Sequence, residues 1–125
     1  MIYIYKAELI RVIDGYTVDL IIDLGFDKSL EEQFRLYGID APEMNTAEGK
    51  EAKKWLWETL QPLEAIYVET IEVSTKAEWD KYGRFLAVLY DDFSDIQANL
   101  PPKTLAPSSI NSQMIVEGHA KERYW

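Results

Sequence analysis

Gln33-Phe34-Arg35-Leu36-Tyr37-Gly38-Ile39-Asp40-Ala41-Pro42-Glu43 is the stretch around which this chain is organised. Its first half alternates as a strand does, with Phe34 and Leu36 on a core face and Arg35 and Tyr37 on the other. The alternation stops at Gly38, and Pro42 forbids a regular continuation. Asp40 and Glu43 flank that proline, and the guanidinium of Arg35 lies just upstream. Two carboxylates and one Arg on a rigid strand-to-turn corner can hold a cation, orient a water and grip a phosphate. A trio of this kind is more often a plain ion pair at a strand end, so its meaning depends on the rest of the chain.

Upstream, residues 3 to 13 read as a strand and Asp14-Gly15 as a tight hairpin turn. Val18, Leu20, Ile22 and Leu24 then share one face of a second strand, opposite Thr17, Asp19 and Asp23. That strand is expected to break at Gly25 and the turn-like Asp27-Lys28-Ser29. Downstream, Asn45 and Glu48 form a capping-box pattern, and Ala52, Trp55, Leu56, Thr59 and Leu60 make an apolar stripe of helical period ended by Pro62. Residues 65 to 73 and 85 to 90 read as the fourth and fifth strands, joined through Asp80-Lys81-Tyr82-Gly83-Arg84. Residues 91 to 108 hold no sustained period and are expected to be a long loop. A short helix over 110–117, capped by Ser108 or Ser109, stops at Gly118.

This order predicts a β-rich α+β fold, an OB-type Greek-key barrel of five strands. One long helix falls between strands 3 and 4, and a short one follows strand 5. The 125 residues are read as one domain, 1–125, with a loop insertion at 91–108. Such barrels bind oligonucleotides or oligosaccharides, so the fold leaves function open.

Composition narrows the field in an unexpected direction. The net charge is −9, whereas nonspecific nucleic-acid binding draws on Lys and Arg releasing counterions. Any nucleic-acid chemistry here must rest on a local cationic site, assisted by a bound divalent metal. The absence of cysteine fits a reducing compartment. No basic region followed by an apolar run opens the chain, so a cytoplasmic protein without signal peptide or membrane span is expected.

Val12-Ile13-Asp14-Gly15-Tyr16-Thr17-Val18, Phe34-Arg35-Leu36 with Asp40-Ala41-Pro42-Glu43, and Asp80-Lys81-Tyr82-Gly83-Arg84 occur in the order and spacing of the staphylococcal nuclease (thermonuclease) family, which the chain resembles over 8–90 and 109–122. The resemblance implies a calcium-dependent nuclease hydrolysing DNA and RNA with little sequence preference, as a monomer holding one Ca²⁺. Carried over, Asp40 and the backbone carbonyl of Ala41 are calcium ligands and Glu43 orients or deprotonates the attacking water. Arg35 and Arg84 clamp the phosphate, while Lys81 and Tyr82 line the nucleotide pocket.

One position departs from that pattern. The family's turn reads Asp-Gly-Asp-Thr, and here it reads Asp14-Gly15-Tyr16-Thr17, so Tyr16 stands where a metal-ligand aspartate is missing. A neutral phenol is a poor calcium ligand. Asp19 should face the other way by strand parity and Asp14 lies across the turn, so neither replaces it. Weak metal binding is expected, and a catalytically inactive module that binds nucleic acid or a protein partner is the alternative. An OB-type oligosaccharide binder would leave Arg35 and Arg84 unexplained. Of the remaining residues, His119 is expected to face solvent, Trp55 to join the core, and Asp91, Asp92 and Asp95 to form a solvated acidic loop. Trp57 and Trp79 stay open, and Tyr124-Trp125 either packs on the barrel or frays.

Overall fold

The structure, a computed structural model, describes residues 3–71, 85–97 and 100–124. Five strands close into a barrel in the order β1-β2-β3-β6-β5, where β1 is Tyr3–Asp14, β2 Thr17–Gly25, β3 Lys28–Leu36, β5 Ile66–Thr70 and β6 Phe85–Tyr90. All neighbours are antiparallel except β3 and β6, which run parallel from Phe34 opposite Phe85 to Leu36 opposite Ala87. This is the expected OB-type barrel. The helix α1, Ala47–Leu60, falls between its third and fourth strands, and the shorter α2, Ile110–Val116, follows its fifth. A two-stranded sheet outside the barrel joins β4, Ile39–Asp40, to β7, Lys121–Glu122.

Closure rests on β1, which pairs with β5 through Tyr3 to Ala7 and with β2 from Ala7 to Asp14. Register shifts between Leu9 and Arg11 and between Val12 and Asp14 bend the half that pairs with β2. The alternation of apolar residues points inward as expected: Val18, Leu20, Phe34, Leu36, Val68 and Leu89 are all buried. Leu56 and Leu60 of α1 join the same core.

Several boundaries differ from the sequence expectation. The hairpin loop after β1 is Gly15-Tyr16, one residue later than Asp14-Gly15, because Asp14 already pairs with Thr17. Gly15 keeps an ordinary φ, and its need is steric: a Cβ there would lie 2.8 Å from the Cβ atoms of both Ala41 and Ala52. The second turn is at Phe26-Asp27 rather than 27–29, with both residues at positive φ. Lys28 and Ser29 belong to β3, and Leu24 is exposed past the barrel end. Thr46 caps α1 instead of Asn45, its hydroxyl accepting from the Gly49 N–H at 3.0 Å. Of the two candidate serines, Ser109 caps α2, accepting from Ser112 at 3.1 Å.

The long loop after β6 is better packed than its composition suggests. Phe93–Asp95 forms a 3₁₀ turn, and Leu105 and Ala106 are buried in the core cluster. Ser108 donates to the Asp95 carbonyl at 2.7 Å, tying the two ends of the loop together.

Candidate phosphodiester site at the Asp40 corner

Residues 37–43, directly after β3, build the corner. Gly38 has φ +78, and a Cβ there would meet the Tyr124 ring at 2.8 Å, so only glycine allows both the turn and the ring packed on it. The chain then runs through β4 to Pro42-Glu43, where α1 closes over it. A Cβ on Gly49 would overlap the Glu43 carbonyl oxygen, so the first helical turn lies flat on the corner's backbone. That carbonyl accepts from the Thr46 N–H at 3.0 Å and the Thr46 hydroxyl at 2.6 Å. On the other side, the buried side-chain amide of Asn111 donates to the carbonyls of Tyr37 at 2.8 Å and Ala87 at 3.1 Å, while its oxygen accepts from the Leu89 N–H at 3.0 Å. Asn111 thus replaces the strand partner β6 loses where β3 ends, and fixes the corner to α2.

Arg35 retains only 5% of its surface, although sequence alternation puts it on the face away from the core. Its guanidinium lies 4.5 Å from the centre of the Tyr16 ring and 3.8 Å from the Asp40 carboxylate, and donates a long hydrogen bond of 3.4 Å to the Leu36 carbonyl. A buried guanidinium stays charged and is tolerated because an anion, a π face and a carbonyl surround it. The carboxylate of Asp40 is shared: its second oxygen is 3.5 Å from the guanidinium of Arg123, the residue after β7. The Arg123 N–H donates to the Gly38 carbonyl at 2.9 Å, so this side chain is placed by backbone pairing.

Of the expected site residues, the structure brings Arg35, Asp40, Ala41 and Tyr16 to one corner, with Glu43 exposed at the start of the helix turn. Lys81, Tyr82 and Arg84 lie outside the described residues, as does Trp79. Neither Asp14 nor Asp19 is available to replace an aspartate at position 16. Asp14 accepts the Tyr16 N–H at 2.9 Å, and Asp19 is held by Arg11 at 2.6 Å and by Gln33 at 3.0 Å. His119 does not face solvent freely but lies half-buried, its ring tilted against Trp55 with the centroids 5.7 Å apart. Trp55 itself packs against the core, Trp57 is exposed, and Tyr124 packs edge-on against Tyr37 at 5.3 Å, while Trp125 lies outside the described residues.

Arg123 is not among the residues expected from sequence, although a signal exists there. Lys121 and Arg123 alternate with Glu122 as residues on one face of a strand do. Their partner is not legible in the chain, because β4 is only two residues long.

The staphylococcal nuclease homologue family model matches residues 33–125, and the chain belongs to that family. The matched stretch begins at the end of β3 and includes the Asp40 corner, both helices and β7. No curated protein matches the chain.

Members of the family generally depend on calcium, and the Asp40 carboxylate and the Ala41 carbonyl are the groups expected from sequence to meet such an ion. Among the described residues no three His, Cys, Asp or Glu side chains converge on one point. Two guanidiniums already lie against the single carboxylate, and the ring of Tyr16 packs on one of them. A hard divalent cation seeks several anionic oxygens, so the described donor set does not fit calcium well.

Proposed function

We propose that this chain is a nuclease-type domain, spanning 1–125 with 91–108 as an insertion, that acts on DNA and RNA phosphodiesters with little sequence preference. Calcium-dependent hydrolysis, the activity typical of such domains, is weakened here at position 16. The observation that carries the reading is the buried guanidinium of Arg35 beside Asp40, on a corner clamped by Gly49, Asn111 and Tyr124. A guanidinium held this way presents paired N–H donors to a phosphate and requires little reordering when charge builds on the equatorial oxygens. Glu43, exposed at the mouth of the corner, orients a water or takes its proton. Arg84 completes the phosphate clamp, and Lys81 and Tyr82 contact the nucleotide.

A second reading, binding without cleavage, is favoured by the engagement of Asp40 with two guanidiniums and by Tyr16 itself. Incubation with single-stranded DNA in calcium and then in chelator separates the two. Slow cleavage that is lost in chelator and on Arg35→Ala supports the nuclease reading. Retention of DNA without cleavage supports the binding module, and cleavage unchanged by Arg35→Ala overturns the assignment of the corner.

A further inference from the structure

We propose that Arg123, with Lys121 beside it, is a phosphate-binding wall of the Asp40 corner, letting the chain hold a nucleic-acid phosphodiester without a divalent ion. The proposal rests on the reading of the corner as a phosphodiester site, and goes beyond it in the residues and in the independence from metal.

The sheet β4–β7 places these side chains. Asp40 pairs directly with Lys121 and Ile39 with Glu122. Directly paired residues of antiparallel strands lie on the same face, so Lys121 shares a face with Asp40. Glu122 lies on the opposite face with Ile39. Arg123 returns to the Asp40 face by parity, and its 3.5 Å approach to Asp40 shows that it reaches the same place. Two guanidiniums, of Arg35 and Arg123, therefore lie against one carboxylate, and Lys121 stands on the same face of the sheet. In a chain of net charge −9 this is a local reversal of sign, as a polyanion's site on an acidic protein must be.

The two guanidiniums differ in a way that suits a ligand. The side chain of Arg35 is nearly buried, at 6% exposure, and fixed under Tyr16, whereas that of Arg123 is 56% exposed and reaches Asp40 loosely. An exposed ion pair at 3.5 Å is weak, so a phosphate can compete with the Asp40 carboxylate for Arg123. The planar fork of the guanidinium matches the two non-bridging oxygens of a phosphodiester, which allows that exchange. A divalent ion seated at Asp40 would instead be repelled by both guanidiniums. The charge that a metal supplies in other phosphodiester sites is here built into the chain.

The test is the anisotropy of a labelled single-stranded oligothymidylate in chelator, across a range of monovalent salt. Binding in chelator is expected within about twofold of that in calcium. Arg123→Ala is expected to weaken it at least about fivefold and to lower the salt slope by about 0.7, the value of one single-strand phosphate contact. Arg123→Lys should keep the slope and recover part of the affinity. Asp40→Asn, which removes the competing carboxylate, should tighten binding in chelator, an effect that a merely structural ion pair would not produce. Wild-type affinity and slope in both Arg123→Ala and Lys121→Ala overturn the proposal, as does binding abolished by chelator. If Arg35→Ala weakens binding and Arg123→Ala does not, this proposal alone falls. If the wild type binds no oligonucleotide in either condition, the reading of the corner falls with it.

Discussion

Of the three charged side chains buried among the described residues, Asp19, Arg35 and Glu69, the last two are kept in place by opposite means. Arg35 on β3 lies against Asp40, the Tyr16 ring and a carbonyl. Glu69 on β5 has, among the described residues, only the Tyr90 hydroxyl, which donates to it at 3.2 Å. A guanidinium cannot shed its charge, so its burial demands partners, and those partners form a site. A carboxyl can take up a proton, and burial pushes Glu69 above the usual carboxylate range, only partly opposed by the hydrogen bond from Tyr90. Tyr90, fully buried beside it, is also raised, by burial and by the neighbouring carboxylate.

The comparison breaks most sharply under substitution of each member. Arg35→Gln is expected to lower the cleavage rate by about 100-fold, the scale of losing one preorganised donor to a developing oxyanion. Glu69→Gln should leave the rate unchanged, and a single-turnover assay on the same DNA checks both. Restoring an acid beside Arg35 is expected to have the next largest effect. Tyr16→Asp should tighten calcium binding and raise cleavage at least about tenfold, equivalent to about 1.4 kcal/mol. A calcium titration followed by binding heat as well as cleavage, with Glu43→Gln as the inactive control, decides it. Equal behaviour of the two forms at limiting calcium would show that another group completes the site.

On the Glu69 side the effects are on stability and smaller. Tyr90→Phe removes the only described donor to the carboxyl and should destabilise by about 1 kcal/mol, seen in denaturant unfolding. The smallest effect is a pH slope. A carboxyl whose folded value lies above its unfolded one favours the fold at low pH and loses that contribution as pH rises through the folded value. Glu69→Gln should therefore flatten the decline of the melting temperature as pH rises above the ordinary carboxylate range. Tyr124, its hydroxyl buried and raised to about 12 by burial and the Glu122 charge, adds a loss of the same sign in strong alkali. A slope unchanged in the Glu69 variant would show that the carboxyl is not the group that titrates.

By itself the sequence determined the barrel and the existence of the corner. Alternation in residues 17–24 and 33–37, the helical stripe ending at Leu60 and the breaks at Gly38 and Pro42 are local signals, and local periodicity survives translation into structure. It placed Arg35 and Asp40 within five residues of each other, so their meeting needed no long-range information. Only the tertiary structure decided that Arg35 is buried, since a barrel covers outward-facing strand residues wherever a helix, loop or second sheet packs over them. It alone decided why residue 15 is glycine, a matter of Ala41 and Ala52 rather than of turn geometry. It also decided that Lys121 and Arg123 stand beside Asp40, some 80 residues away in sequence. A pairing between two-residue strands leaves no periodic trace in either segment, because its register is set by the elements that carry the strands together.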